Sequence, residues 1–73
     1  MTFGGALDLL NNGRRVCRVG WNGRGMLIEL QRPDDHSKMS LPYIYMSTAT
    51  GHLVPWLASQ TDILADDWCE VRK

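Results

Sequence analysis

Apolar side chains at the start of the chain recur at the spacing of one helical face. They are Phe3, Ala6, Leu7 and Leu10. This spacing predicts a helix over residues 3–11, with Thr2 as its N-cap and Asn12-Gly13 supplying the positive φ that ends it. Gly4 and Gly5 each weaken a helix by about 1 kcal/mol relative to alanine. We therefore expect this helix to depend on packing against the rest of the domain.

Alternating apolar and polar positions predict strands in the rest of the chain. The predicted strands cover residues 15–19, 26–31, 42–48, 52–56 and 68–71. In the first strand, Val16 and Arg18 share one face, and the odd-numbered residues share the other. The glycine-rich segment 20–25 joins the first two strands into a hairpin, and the turn at residues 49–51 joins the next two. Pro55 has no N–H, which places it at a sheet edge or a strand end.

Two further segments complete the predicted fold. Residues 32–41 are polar and aperiodic, so they are expected to form an exposed loop. Ser59 begins a short helical turn with Asp62 in a capping box, and we expect Ile63 and Leu64 to dock this turn on the sheet. The predicted fold class is α+β: a small antiparallel sheet of about four to five strands with an N-terminal helix and a short C-terminal helical turn.

Length, composition and charge limit the classes of function. The chain has 73 residues, an apolar content of 44% and no net formal charge. These values predict one domain over residues 1–73, small enough to bury only about 60–65% of its unfolded surface, so self-association is the expected additional source of stability. A neutral chain attracts neither DNA, RNA nor an anionic membrane through its overall field, and no apolar run approaches the roughly 20 residues of a membrane span. We expect a cytoplasmic protein that binds neither nucleic acid nor membrane.

The titratable side chains show no arrangement typical of catalysis. His36 lies in the polar loop and His52 beside a turn, and both are expected to be solvated. Adjacent carboxylates point apart, so Asp34-Asp35 and Asp66-Asp67 are interpreted as solvated turns and not as acid–base pairs. The sequence contains no set of metal ligands at a recognised spacing and no phosphate-binding loop. It therefore predicts a protein that is not an enzyme and that needs no cofactor or metal.

The two cysteines, Cys17 and Cys69, lie far apart in the sequence and have no spacing typical of metal ligands. A disulfide between them would require their strands to be neighbours. The favoured interpretation, for a cytosolic protein, is two reduced and buried thiols.

Aromatic and arginine side chains near the glycine-rich loop favour a binding protein. A purine nucleotide needs aromatic faces for its base and arginine groups for its phosphates. Trp21 lies in the loop and Arg18 precedes it, so both are candidate ligand contacts. Alternatives stay open: Trp21 as a lid packed over the helix, Arg18 as a solvated side chain, and Asp62 as a helix cap only. Trp68 is predicted to be in the core, and Trp56 either in the core or in the site.

Four sequence blocks extend this interpretation. They are Phe3-Gly-x-Ala6-Leu7-x-x-Leu10, Arg18-x-Gly20-Trp21-Asn22-Gly23-x-Gly25-Met26, Leu41-Pro42-Tyr43-Ile44 and Val54-Pro55-Trp56-x-x-Ser59-Gln60-Thr61-Asp62-x-Leu64-Ala65-x-Asp67-Trp68. In this order, over nearly the whole chain, they resemble a phage-encoded family, the second type of Thoeris anti-defence protein. The resemblance implies homotetramers that sequester cyclic ADP-ribose isomers, the signals of bacterial TIR-domain defence enzymes, without degrading them. Some family members also hold cyclic dinucleotides of the cGAS-like (CBASS) defence system at a separate site.

The residue types and the resemblance together predict the ligand-binding positions. They are Phe3, Arg18, Trp21, Asn22, Arg24, Tyr43, Trp56, Thr61 and Asp62. In so small a chain, residues from two subunits are expected to close the pocket. The loop at residues 31–41 is shorter than in many relatives, which leaves the preferred signal and any second site open. The rival prediction is a structural or protein-interaction module that uses an exposed Trp/Arg patch.

Overall fold

The computed structural model describes residues 1–72 and shows the predicted order of elements. They are helix α1 (Phe3–Asn11), strands β1 (Arg15–Arg18), β2 (Leu27–Gln31), β3 (Tyr43–Ser47) and β4 (Leu53–Pro55), helix α2 (Gln60–Leu64) and strand β5 (Trp68–Val71). The α+β prediction is confirmed, and several strands end one residue earlier or begin one residue later than predicted. Lys73, the last residue of the predicted domain, lies outside the described residues.

Helix α1 begins and ends where its local sequence predicts. The Thr2 Oγ1 atom accepts a hydrogen bond from the Gly5 N–H at 3.3 Å, and Gly13 after the helix has a φ of 79°. Ala6 and Leu10 are fully buried. This burial supplies the packing that a short helix with two glycines in its first turn requires.

The five strands form one antiparallel sheet in the order β4-β3-β2-β1-β5. Strand β4 lies at an edge, which confirms the prediction made from Pro55. Strand β5 returns to pair with β1, so that Cys17 lies opposite Cys69. Met1 covers part of the outer edge of β5, because its ammonium donates to the Trp68 carbonyl at 2.8 Å and the Trp68 N–H donates to the Met1 carbonyl at 3.1 Å. Both ends of the described chain therefore meet at β5.

The core lies between α1 and one face of the sheet. The buried residues are Ala6, Leu10, Val16, Ile28, Met46 and Trp68. Only 2% of Trp68 is exposed, which confirms its prediction as a core residue. The opposite face, which we call the open face, carries Cys17, Tyr43, Tyr45, Leu53 and Cys69. Its strand residues within the described chain are half-buried or exposed.

The docking of α2 differs from the prediction. Ser59 caps this helix as expected, since its Oγ atom accepts from the Asp62 N–H at 3.0 Å. Ile63 and Leu64, however, are 46% and 80% exposed, so the prediction that they dock the helix on the sheet is wrong. The Trp68 indole N–H donates to the Asp62 carbonyl at 2.9 Å instead. This polar contact orients the helix with its two largest apolar side chains toward solvent.

Residues 32–41 form the irregular and mostly exposed loop that their composition predicts. The Asp34 carboxylate organises its first turn by accepting from the His36 N–H at 2.9 Å and from the Ser37 hydroxyl at 3.1 Å. His36 and His52 are both exposed, as predicted.

Candidate functional site

One arginine binds two carboxylates where β1, α2 and β5 meet. Arg18 ends β1, and its NH1 atom donates to Asp62 Oδ1 in α2 at 2.8 Å. Its Nε atom donates at 2.7 Å to Oδ1 of Asp67, the residue before β5, and its NH2 atom lies 3.4 Å from the other oxygen of that carboxylate. The side chains of Arg18, Asp62 and Asp67 are 15%, 14% and 31% exposed. Because charge-assisted hydrogen bonds are the stronger kind, Arg18 fixes three elements relative to one another.

Asp62 connects this ion pair to two tryptophans. Its Oδ1 atom also accepts from Trp21 Nε1 at 3.2 Å, in addition to the bond from Trp68 to its carbonyl. The Trp21 and Trp68 rings meet edge to face, with centroids 5.3 Å apart and planes at 80°. We call Arg18, Trp21, Asp62, Asp67 and Trp68 the Arg18 cluster.

Two more aromatic side chains extend the Arg18 cluster toward the helix. The ring centroids of Phe3 and Trp56 lie 5.4 and 6.1 Å from that of Trp68, and 6.1 Å from each other. These distances are within the range of about 4.5–7 Å in which aromatic pairs attract. Phe3 and Trp56 are half-buried and pack against the core. The cluster therefore lies on a continuous aromatic wall.

The carboxylates of the Arg18 cluster are stabilised in their ionised form. Burial opposes the ionisation of Asp62, but hydrogen bonds from Arg18 and Trp21 outweigh it and lower the pKa of that carboxyl. The Arg18 guanidinium is the main group that lowers the pKa of Asp67, and the Gly20 N–H contributes. The hydrogen bonds that Arg18 donates to Asp67 and Asp62 in turn raise the pKa of its guanidinium. One guanidinium and two carboxylates leave the cluster with one net negative charge.

This charge balance suits hydrogen-bond donors better than anions. A phosphate at Arg18 would have to compete with two carboxylates that already bind its guanidinium within 3 Å. Asp67 keeps 31% of its side chain exposed and can accept from a ligand hydroxyl. Arg24, which is not a member of the Arg18 cluster, carries a nearby positive charge and is exposed in the 20–25 loop. This loop turns at Gly25, which has a φ of 75°.

Gly20 allows the loop to approach Asp67 closely. Its N–H donates to Asp67 Oδ2 at 2.8 Å, and a Cβ atom at this position would lie 2.9 Å from the same oxygen. A side chain here would therefore displace the carboxylate that holds Arg18.

A separate cleft of about 430 Å³ lies on the open face. Its lining is mainly apolar and consists of Gln31, Met39, Tyr43, Tyr45, Leu53, Val54 and Pro55. Most of these side chains project from the face of the sheet opposite to Arg18. Within residues 1–72 there is no group of three or more side chains placed to hold a metal ion, and no helix long and apolar enough to cross a membrane.

Comparison with known proteins identifies a family whose match extends over nearly the whole chain. A sequence model of the Thoeris anti-defense 2-like domain matches residues 1–71. A relative named Thoeris anti-defense 2, from Bacillus phage SP01, is 36% identical over 81 aligned positions, which cover 93% of this chain and 91% of the relative. The chain belongs to the Thoeris anti-defense 2-like family. The resemblance inferred from the four sequence blocks is confirmed, and membership supports a role in phage anti-defence.

The structure brings together several of the ligand-binding positions predicted for this Thoeris anti-defense 2-like chain. Arg18, Trp21 and Asp62 are in direct contact. Phe3 and Trp56 contact the same group through Trp68. Ligand contacts at these positions stay predictions, but residues from both ends of the chain do converge on one surface.

The remaining predicted positions divide into two groups. Asn22 and Arg24 are exposed in the loop that carries Trp21, and Thr61 is exposed in α2 next to Asp62. Tyr43 lies on the open face, in the wall of the apolar cleft. Within one chain, Tyr43 is therefore separated from the Arg18 cluster by the sheet.

The structure also decides between several of the alternatives. Asp62 is more than a helix cap, since its carboxylate binds Arg18. Trp21 packs against the core cluster, and its role as a ligand contact stays a prediction. A solvated Arg18 is wrong, since its side chain is 15% exposed and bound to two carboxylates. Trp56 is half-buried, between the two predicted environments.

Sequence reasoning missed Asp67. Its interpretation as part of a solvated turn is wrong, because its carboxylate binds both Arg18 and the Gly20 N–H. The signal that could have identified it is the pair of cysteines. If Cys17 and Cys69 are aligned across two antiparallel strands, Asp67 falls beside the end of β1, within reach of the arginine.

Proposed function

We propose that this chain binds and sequesters cyclic ADP-ribose-type immune signals of Thoeris defence and releases them uncleaved. The observation that carries the proposal is spatial: the family block at residues 18–26 and the family block at residues 54–68 meet at the Arg18 cluster. Four hydrogen bonds between side chains of the two blocks join them: one from Arg18 to Asp62, two from Arg18 to Asp67 and one from Trp21 to Asp62. These shared blocks therefore contribute to one surface.

The chemistry of such a signal fits the surroundings of the Arg18 cluster. A cyclic ADP-ribose isomer has one adenine, several ribose hydroxyls and two phosphates. Trp21 offers an aromatic platform for the base, and Asp62 and Asp67 accept hydrogen bonds from hydroxyls. The phosphates require positive charge and N–H donors, which Arg24 and Asn22 of the exposed loop supply.

Further contacts come from the aromatic wall and from α2 in this proposal. Phe3 and Trp56 pack against Trp68, which in turn contacts Trp21, and Thr61 offers a hydroxyl beside Asp62. Arg18 acts mainly by positioning the two carboxylates. Tyr43 joins the pocket only through a second subunit, because the sheet separates it from the Arg18 cluster of its own chain.

The ionisation of the cluster supports binding without turnover. A general acid or base works best when its pKa lies near the working pH. The pKa values of Asp62 and Asp67 are instead lowered, and both carboxylates are already bound to Arg18. They are suited to holding a ligand and poorly suited to moving a proton at neutral pH.

The proposal includes assembly and place of action. The chain acts in the cytoplasm of the host bacterium as a homotetramer. Pockets bury most of the surface of a ligand, and the residues around one Arg18 cluster are too few to enclose a ligand of this size. Cyclic dinucleotides of CBASS defence form a second ligand class, bound at a separate site. Light scattering tests the assembly: a tetramer mass is expected at micromolar concentration, and a monomer mass contradicts it.

The decisive experiment is calorimetry of the purified protein against a panel of cyclic ADP-ribose isomers and cyclic dinucleotides. We expect saturable binding of at least one cyclic ADP-ribose isomer, and chromatography after heat release should recover it intact. Arg24→Ala should weaken binding by about 1.5–3 kcal/mol, the worth of hydrogen bonds to a charged group. Lys38→Ala is the matched control, because it removes the same charge from an exposed loop outside the site.

The rival function is a protein-interaction module. It draws support from large apolar side chains at the surface, among them Leu57 at 91% exposure and Leu64 at 80%. Under this alternative, no compound of the panel binds, and immobilised protein captures a polypeptide partner. A linearised product after heat release would instead indicate an enzyme and contradict sequestration.

A further inference from the structure

A pair of thiols connects β1 to β5 on the open face. Cys17 and Cys69 are Cα partners in the register of the two strands, although 52 positions separate them in the sequence. Their Sγ atoms lie 3.4 Å apart, and both thiols are free and half-buried. The pair lies on the face of the sheet opposite to Arg18 and Trp68, which are paired in the next register position.

Strand pairing holds the two cysteines at a separation that a disulfide can span. Just beyond the ends of β1 and β5, the Val19 N–H donates to the Asp67 carbonyl at 3.1 Å, which is the bonding of a hydrogen-bonded antiparallel pair. Hydrogen-bonded pairs recur at every second position, which makes Cys17 and Cys69 a pair of the same kind, with Cα atoms about 5.5 Å apart. Disulfides form across Cα separations of about 4.4–6.8 Å. Because the sulfurs already lie 3.4 Å apart, rotation of the two side chains and a small approach of their Cβ atoms bring them to the disulfide bond length of about 2.04 Å without separating the strands.

We propose that Cys17 and Cys69 form a dithiol site that reacts with low-molecular-weight disulfides to give an intramolecular disulfide between β1 and β5. One protein thiolate attacks the small disulfide, which gives a mixed disulfide and releases one small thiol. The second protein thiolate then attacks the protein sulfur of the mixed disulfide and releases the other small thiol. The chain loses two protons and two electrons, and the small disulfide gains them as two thiols.

The raised pKa of the Cys17 thiol slows the reaction of this site at neutral pH. Burial and then the hydrogen bond with Cys69 raise the pKa of the Cys17 thiol to about 11. Its thiolate fraction at pH 7 is then on the order of one in ten thousand, and only the thiolate attacks a disulfide. Closure is therefore slow at neutral pH and accelerates as the pH rises.

The bond would fix the strands that carry the proposed ligand site. Arg18 directly follows Cys17, and Trp68 directly precedes Cys69, so each cysteine neighbours a member of the Arg18 cluster. A covalent link across this pair restricts the unfolded chain over most of its length, which stabilises the folded state in the chain-entropy account. We expect the oxidised protein to melt at a higher temperature than the reduced protein.

The test uses wild-type protein incubated with excess oxidised glutathione at mildly alkaline pH and then quenched with acid. Intact-mass spectrometry should show the loss of two hydrogen atoms, and thiol titration under denaturing conditions should show the loss of both thiols. A non-reducing gel should still show a single chain, and dithiothreitol should restore the thiols. Cys17→Ser and Cys69→Ser are matched controls that keep one thiol each and should stop at a glutathione adduct.

Three outcomes would overturn the proposal. In the first, the wild-type protein remains a stable glutathione adduct, and in the second, it becomes linked to a second chain. In the third, it keeps both thiols under conditions that fully oxidise a short dithiol peptide. Each is measured on the wild-type chain, so a serine variant that fails to fold does not affect the conclusion. None of them depends on whether the chain binds a cyclic nucleotide.

Discussion

The two faces of the sheet differ in how their side chains are held. On the face that α1 covers, Arg18, Asp62 and Trp21 are joined by hydrogen bonds with defined donors and acceptors. On the open face, Tyr43 and Leu53 line an apolar cleft and are 40% and 68% exposed. A hydrogen bond is lost when its donor or acceptor atom is removed. The contribution of an apolar contact instead decreases in proportion to the buried apolar area that is lost. Substitutions on the two faces should therefore differ in size and in kind.

The largest difference is expected from removing a large side chain on each face. Trp68→Ala should lower the free energy of unfolding by about 3–5 kcal/mol, because it empties a site that is 2% exposed. Leu53→Ala on the open face should change it by no more than about 0.5 kcal/mol, as exposed positions do. Urea denaturation of both variants measures the comparison. Equal losses would show that the open face contributes to the fold as much as the core does.

Substitution of Trp21 tests whether the face of the sheet that α1 covers also binds the ligand. If Trp21 stacks on the base, Trp21→Ala should weaken binding by about 1–3 kcal/mol while the protein stays folded. Trp21→Phe keeps an aromatic face but loses the N–H bonded to Asp62, and it should retain most of the affinity. Affinity and melting temperature are measured on each variant. A large loss of stability with unchanged affinity in the folded fraction would assign Trp21 to packing alone.

Replacing an aspartate by asparagine, which has nearly the same shape, tests the hydrogen bonds of Arg18. Asp62→Asn removes the charge that faces Arg18 and should lower the free energy of unfolding by about 1.5–3 kcal/mol, as for other hydrogen bonds to charged groups. Asp66→Asn removes the same charge from an exposed side chain and should have little effect. Denaturation at neutral pH compares them. Matching losses would mean that net charge, and not the contact with Arg18, sets the stability.

Acid should abolish this difference between Asp62→Asn and the wild type. The pKa of Asp62 in the folded state lies below its ordinary value of 3.8, so ionisation favours folding. The contribution of this carboxylate is complete above its unfolded pKa and is lost as the pH falls through the folded value. The stability gap should thus be constant over about pH 5–7 and narrow below pH 3.8. A gap that is unchanged in acid would remove the charge of Asp62 as its cause.

Local sequence predicted the elements whose caps and apolar spacing lie within a few neighbouring residues. Helix α1 was predicted over about residues 3–11 and spans Phe3–Asn11, because its cap at Thr2, its apolar spacing and Gly13 all act over a few positions. The cap at Ser59 was predicted for the same reason. Alternation also placed Val16 and Arg18 on one face of β1 and Cys17 on the other, since the side chains of a strand alternate whatever the strand pairs with. Only the structure shows that the face of Val16 is the buried one.

Only the tertiary structure decided which side chains meet. The bonds from Arg18 to Asp62 and Asp67 join positions 44 and 49 apart, and they exist because β5 returns to pair with β1. No local pattern distinguishes Asp67 from Asp66, and none shows that Ile63 faces solvent. The sequence by itself determined the elements and the family, since both depend on residues read along the chain. The Arg18 cluster depends on long-range strand pairing, whose geometry brings Asp67, and not its neighbour Asp66, to Arg18.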